Sequence, residues 1–339
     1  MKTIDLKDEI KNIQPPILIL SSKAGLGNYS VGSAIQEMLE HKTEVFHCCI
    51  EDLISARLKK DNFIRYRLIC ERYPRVLYLI DNFPLNYWVK YKREYYLGNL
   101  DISILGEYIK TLDIKTILVT NQRAAFWATA LRRRKTIDCS IWAFLTDYSI
   151  MPGWKYLFWG QVEKIFGPVE QLKIPFSWRN KYRQIEIPVF KKFYSLAEKR
   201  GDINNALITG GGWGLGDIGT LSKKMAKSFP RLNLHIAVGD NARLYKYLSR
   251  HFVSFSNVHI YKELNSLYSL MEICESVVTK PGAVTIAEAY CARRKIFLIK
   301  GLPGCEYRNL RYALNHFGAH EFSLGAFRDW HNIEKAYRG

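Results

Sequence analysis

The sequence predicts an α/β protein of two parallel-sheet domains, and three observations carry that expectation. At 339 residues the chain is too long for one ordinary core and suits two. Short apolar runs rich in β-branched residues alternate with helical or mixed segments, as parallel strands require, because parallel neighbours need a crossover between them. The alternation breaks once and restarts near residue 200. The two domains are expected to face each other across a cleft. Open α/β sheets bind ligands beyond the carboxyl ends of their strands, so the informative residues should directly follow the runs.

In chain order the first set of runs is Ile17–Leu20, Val45–Cys49, Val76–Ile80, Thr116–Thr120 and Ile141–Leu145. The second is Ala206–Thr209, Leu234–Val238, Val258–Tyr261, Ser276–Thr279 and Ile296–Ile299. The polar, basic stretch from Ile187 to Asp202 reads as a hinge. Residues 1–195 and 196–320 are therefore expected as domains, with 321–339 packing back toward the N-terminal one.

Composition excludes several classes. With 48% hydrophobic and 24% charged residues, the chain is neither largely disordered nor collagen-like. Seven scattered cysteines argue against a disulfide scaffold, and the start MKTIDLKDEIK does not read as a signal peptide. A cytoplasmic location follows as an expectation. No apolar run reaches the roughly 18 residues of a spanning helix. The net charge of +18 calls for an anionic partner: nucleic acid, an anionic membrane face or phosphorylated ligands. Region 57–96 interleaves Arg57, Lys59, Lys60, Arg65, Arg67, Arg72, Arg75, Lys90, Lys92 and Arg93 with Phe63, Tyr66, Tyr73, Tyr87, Trp88, Tyr91, Tyr95 and Tyr96. That mixture suits a membrane interface, and equally single-stranded nucleic acid or a plain solvated helix face.

The strand-end loops carry the candidate chemistry. After the first run, Ser21 to Ser30 includes Gly25 and Gly27, which permit tight turns ahead of a helix. It is neither a Walker loop nor G-x-G-x-x-G, since Ser30 stands at the third glycine. In the second half, five glycines fall between 210 and 216, a composition whose usual return is an anion cradle of backbone N–H groups. Gly239, Asp240 and Asn241 end the next run, and Lys262 follows the one after. Thr279-Lys280-Pro281-Gly282 then turns into a helix expected to start near Thr285. Thr285 and Glu288 have capping-box spacing; the functional alternative is that Glu288 accepts hydrogen bonds from a ribose. Gly304, Glu306 and Asn309 lie between the last run and its helix. No D-x-D, H-E-x-x-H, paired C-x-x-C or G-x-S-x-G motif occurs, so no metal site and no nucleophile elbow is expected.

Together these motifs resemble the GT-B glycosyltransferases of the group that includes monogalactosyldiacylglycerol synthase, processive diacylglycerol glucosyltransferases and, more distantly, the peptidoglycan GlcNAc transferase. The likeness is best over residues 206–319. Gly210 to Gly216 resembles the donor-domain glycine loop. Gly239-Asp240-Asn241 resembles a Gly-Arg-Asn segment, with Asp240 in place of Arg. Thr279-Lys280-Pro281-Gly282 through Thr285 and Glu288 resembles Thr-Lys-x-Gly…Thr-x-x-Glu. Pro303-Gly304-Cys305-Glu306…Asn309 resembles Pro-Gly-Gln-Glu…Asn, with Cys305 in place of Gln. In the first half, the loop of Gly25, Gly27 and Asn28 resembles an acceptor-side Gly-x-Gly-His loop, with Asn28 in place of His. Thr146-Asp147 with Pro152 and Trp154 resembles Thr-Asp…Pro…Trp.

The resemblance implies two Rossmann-like domains, an acceptor-side one first and a donor-binding one second. It implies inverting transfer of a hexose from a UDP-sugar to a hydroxyl acceptor, expected to be a diacylglycerol-like or other membrane lipid. A soluble or specialised-metabolite acceptor, or a UDP-sugar epimerase of related architecture, is the alternative. Gly211, Gly212, Gly239, Asn241, Lys262, Lys280, Gly282, Thr285, Glu288, Gly304, Glu306 and Asn309 are the implied donor-binding set, with Glu288 on the ribose and Glu306 and Asn309 on the sugar. No cofactor or metal is expected beyond the nucleotide sugar, and no specific nucleic-acid partner. Region 57–96 is expected to dock peripherally on an anionic membrane. Because a carboxamide orients a hydroxyl but does not take its proton, Asp147 is the expected base beside Asn28, with turn capping as its structural alternative.

Overall fold

The computed structural model describes residues 6–24, 26–42, 44–73, 75–76, 79, 89–90, 92, 95–96 and 102–338. The chain divides into two compact units: Met1–Val189 with Pro303–Cys305, and Phe190–Leu302 with Glu306–Gly339.

In the first unit six parallel strands form one sheet: β1 (Ile17–Ser21), β2 (Val45–Cys49), β3 (Thr116–Val119), β4 (Ser140–Phe144), β5 (Lys164–Gly167) and β6 (Tyr182–Gln184). Their order is β2-β1-β3-β4-β5-β6. The continuous apolar runs of β1 and β3 are buried along their whole length, as a parallel sheet covered on both faces demands. Strands β5 and β6 have no counterpart among the expected runs. Conversely, Val76–Ile80 was expected as a strand, yet where it is described, at Val76 and Leu79, the chain is helical and both side chains are exposed. An apolar run that short does not distinguish a strand from a helix by itself.

In the second unit β7 (Asp202–Thr209), β8 (Asn233–Ala237), β9 (Val258–Tyr261), β10 (Cys274–Thr279), β11 (Lys295–Leu298) and β12 (His320–Glu321) pair in parallel in the order β12-β11-β10-β7-β8-β9. The order reverses between β1 and β3 in the first sheet and between β7 and β10 in the second. Those are the switch points where open sheets bind ligands.

The first boundary lies at Val189/Phe190, not at 195/196. The helix Lys191–Ser195 goes with the second unit because it buries Phe193 fully, edge-on to Tyr268 at 5.9 Å. The stretch read as a hinge is anchored too: Arg294 Nη1 donates to the Lys199 carbonyl at 2.8 Å. The last helix, Leu324–Arg338, also belongs to the second unit, where the sequence had placed it toward the first. Phe327 is fully buried with Phe297 and Phe229 at 5.0 and 5.1 Å, and Arg338 donates to the Gly201 carbonyl and to Glu275. Its apolar stripe thus completes the core that β11 and the helix Ile218–Ser228 leave open.

Candidate functional site

In the second unit the turns after β7, β10 and β11 meet at the Lys280 ammonium, and the turn after β8 packs on the first of them. Gly239 sits at φ +60, and a Cβ there would lie 2.3 Å from the Gly212 carbonyl oxygen. Only glycine lets the turn after β8 pack backbone to backbone against the glycine loop after β7. Asp240 N donates to the Gly212 carbonyl at 2.9 Å across this contact. Asn241 caps the helix Ala242–His251 through Leu244 N at 2.9 Å. Gly211, at φ +70, makes room for Lys280: a Cβ there would lie 3.3 Å from Lys280 Cε. Lys280 Nζ is also 3.4 Å from where a Gly282 Cβ would stand, and it pairs with Glu306. The other Glu306 oxygen accepts from Leu302 N at 2.6 Å, and Asn309 Nδ2 donates to the Pro281 carbonyl at 3.2 Å.

Glu306 and Asn309 are therefore held by the protein itself, Glu306 fixing the lysine and Asn309 fixing the turn that carries it. The resemblance had implied that both face a sugar. Lys262 pairs with its neighbour Glu263 at 2.6 Å and makes no described contact with the Lys280 cluster. Gly304, at φ +94, turns the chain into the helix Cys305–His316.

Glu288 is not a capping residue. The helix runs Ala283–Cys291 with Gly282 at its cap, so Thr285 is already inside it and the Thr-x-x-Glu spacing falls on interior positions. The Glu288 carboxyl is buried and, among the described residues, has no hydrogen-bond partner. Burial pushes its pKa up to about 8, opposed by the Lys192 charge.

In the first unit Asn28 lies in the first turn of the helix Gly27–Met38. Its Oδ1 accepts from Thr146 Oγ1 at 2.7 Å, and its carbonyl accepts from Thr120 Oγ1 at 2.9 Å. Thr120 Oγ1 also lies 3.0 Å from Ser21 Oγ, which is 2.8 Å from His47 Nε2. Burial lowers the His47 pKa to about 4, so the ring is neutral. Asn28 and Asp147 line one cavity of about 420 Å³ together with Phe63, Arg123 and Trp154. Gly27 opens the helix behind a left-handed Leu26; Gly25 lies outside the described residues.

Sequence reasoning missed Glu51, which orders this loop. Its Oε1 accepts from Ser22 Oγ at 2.5 Å and from Lys23 N at 3.0 Å. Nothing in the sequence marks it, since its partners are 28 and 29 residues away.

Of the basic–aromatic region, Tyr87, Trp88, Tyr91 and Arg93 lie outside the described residues. Phe63 belongs to the core, 6.5 Å from Trp127, and Tyr95 packs on Phe158 at 4.9 Å beneath the Arg134 guanidinium. Ile64, Leu68, Tyr73 and Tyr96 are exposed. Among the described residues no helix is long and apolar enough to cross a membrane, and no three His, Cys, Asp or Glu side chains gather as a metal site.

No family model matches the chain. Among related sequences, a processive diacylglycerol beta-glucosyltransferase of Staphylococcus saprophyticus is 23% identical over 198 residues, 54% of this chain and 50% of that protein. The uncharacterized glycosyltransferase YkoN of Bacillus subtilis is 34% identical over 108 residues, 31% of this chain and 28% of that protein. These two matches span half or less of the relatives' own lengths. A processive diacylglycerol beta-glucosyltransferase of Bacillus cereus is 21% identical over 337 residues, 89% of this chain and 80% of that protein. Among solved structures, Acinetobacter baumannii MurG has a TM-score of 0.54 at 10% identity, covering 95% of this chain and 90% of its own. Os79 from O. sativa, solved with UDP, has a TM-score of 0.56 at 8% identity, covering 88% and 84%. The fold is GT-B, and in sequence the chain is a distant relative of the processive diacylglycerol β-glucosyltransferases.

Proposed function

We propose that the protein is an inverting glycosyltransferase that moves a hexose from a UDP-sugar to a hydroxyl of a membrane lipid. The observation that carries this reading is the Lys280 ammonium, fixed by Glu306 and set against Gly211 and Gly282 at the switch point of the second sheet. A departing UDP accumulates negative charge on its diphosphate. A fixed cation with glycine-loop amides and the N-terminus of the helix Ala283–Cys291 can stabilise that charge without reorganising. Gly211, Gly212, Lys280 and the helix turn of Thr285 face the diphosphate in this reading, while Glu288 receives the ribose hydroxyls. Glu306 and Asn309 are positioning residues.

On the acceptor side Asp147 takes the proton. The acceptor oxygen forms its bond to the anomeric carbon on the face opposite UDP, and the carbon–oxygen bond to the β-phosphate breaks with its electrons going to the diphosphate. The acceptor proton passes to the Asp147 carboxylate. Asn28, held by Thr146, orients the hydroxyl. The names of the relatives support a lipid acceptor. The exposed Ile64, Leu68 and Tyr73 beside Arg65, Arg67 and Arg72 support peripheral docking on anionic lipid.

A melting-temperature panel of UDP, GDP, TDP and UDP-sugars tests the donor, since a ligand that binds only the folded state raises the transition. A rise with UDP compounds is expected; its absence refutes the reading. UDP release that requires an acceptor separates transfer from epimerisation. Salt-sensitive binding to phosphatidylglycerol vesicles is expected, and no binding at low salt removes the membrane component.

A further inference from the structure

Two adjacent helices of the second unit carry cations and no acid. From Ile218 to Tyr261 the sequence holds seven lysines and arginines against one acid, Asp240, which lies in a turn. Neither the helix Ile218–Ser228 nor the helix Ala242–His251 contains an acidic residue. The two lie side by side: Lys223 Nζ donates to the Tyr247 hydroxyl, and a Cβ on Gly219 would stand 3.6 Å from the Tyr247 ring. On the second helix Leu248 is fully buried, with Leu244 one turn before it packed on the same core. Arg243, Lys246 and Arg250, spaced by three and four, therefore share the outer side and are exposed, as are Lys224 and Lys227 on the first helix. Among the described residues none of these five pairs with a carboxylate. Like charges three and four apart oppose one another along a helix, a cost that an external anion offsets. Apolar groups border the stripe. Tyr245 and Tyr247 are exposed on its flanks, and Val253, 85% exposed, stands with Phe255 in the turn that follows.

We infer that this face of the second unit docks on an anionic bilayer, with the lysines and arginines at the headgroup phosphates and Tyr245, Tyr247 and Val253 entering the interfacial zone. The inference goes beyond the transferase reading, since it needs neither the donor chemistry nor the contact of residues 57–96. Charge complementarity selects an anionic surface, because each cation near such a surface is attracted and the stripe brings no carboxylate to repel it. The apolar border selects a bilayer among anionic surfaces. A phosphodiester backbone would match the cations but leave Val253 in water, whereas the headgroup layer accepts tyrosine rings and an aliphatic tip together with basic side chains.

The test follows the full chain onto vesicles of phosphatidylglycerol and phosphatidylcholine by flotation, with pure phosphatidylcholine as the neutral surface. Binding that requires phosphatidylglycerol and weakens with salt is expected. A Lys224→Gln, Lys227→Gln, Lys246→Gln, Arg250→Gln variant should lose about 100-fold or more in affinity, because each basic residue near an anionic surface contributes about fivefold. Its melting temperature and its melting shift with UDP should match those of the unaltered chain, which separates loss of the face from loss of the fold or the donor site. Val253→Trp adds a reporter whose emission should shift to the blue on anionic vesicles and not on neutral ones. A quadruple variant that binds within about threefold of the unaltered chain overturns this face and leaves the contact of residues 57–96 standing. Added emission that does not shift overturns the bilayer as the occupant. So does a single-stranded oligonucleotide that binds more tightly than the vesicles and loses that binding in the quadruple variant. Absence of vesicle binding by the unaltered chain overturns both contacts, while a UDP shift that persists there keeps the transferase reading.

Discussion

Replacing Lys280 by Met separates what its ion pair contributes to folding from what its charge contributes to the donor. The Lys280 and Glu306 side chains are 15% and 8% exposed, so removing the lysine strands a carboxylate that water barely reaches, with Leu302 N as its described remaining partner. Breaking a pair buried to this degree costs about 3–5 kcal/mol, which for a unit of this size lowers the melting temperature by roughly 6–20 °C. A Lys280→Met, Glu306→Gln double variant removes the stranded charge while the Gln oxygen still accepts from Leu302 N. It should recover most of that loss, giving a coupling of about 2–3 kcal/mol. UDP affinity should not recover, because the ammonium is absent in both, and it should fall about 10–100-fold if one charge-assisted contact to phosphate is lost. The assay is calorimetric melting with and without UDP, reading the transition that UDP shifts. A single variant that loses less than about 1 kcal/mol, or a double variant that binds UDP as the unaltered chain does, refutes the reasoning.

Glu288 is held up to about pH 8 by burial, so between its ordinary range near 4.5 and that value the folded state binds a proton that the unfolded chain has lost. Its contribution to stability therefore falls as pH rises through this window, and Glu288→Gln should raise the melting temperature more at pH 8.5 than at pH 5. The same variant should weaken UDP while barely changing the affinity of a dideoxyribose analogue. The opposite sign holds for His47 and His235, which burial keeps neutral down to about pH 4. Below about pH 6.5 the unfolded chain takes up protons that the fold refuses, and a His47→Gln, His235→Gln variant should lose less melting temperature between pH 7 and pH 4. Asp147→Asn should lower acceptor-dependent UDP release about 100-fold or more with UDP binding unchanged; near-normal turnover eliminates it as the base. Thr146→Val, which releases the Asn28 carboxamide, should lower turnover by a smaller factor.

Two parallel sheets were legible in the chain because fully buried strands need long apolar, β-branched runs, and Ile17–Leu20 or Val277–Val278 leave few other uses for such residues. The loops that bear candidate chemistry were legible for a related reason. Glycine at 211 and 239 costs chain entropy that an ordinary turn does not require. What the sequence could not decide was which side chains those loops spend on one another. Glu306 and Asn309 read as ligand groups until their partners, Lys280 and Pro281, arrive from more than twenty residues away. The capping alternative for Glu288 stayed open in the sequence because a four-residue spacing records no helix start, and the helix begins at Ala283. Glu51 was invisible, since its contact with Ser22 exists only once β1 and β2 pair. Periodicity and backbone demands are local and are written in consecutive residues. Burial, pKa and the partner of a polar group depend on what the rest of the chain brings near it, and only the tertiary structure determines that.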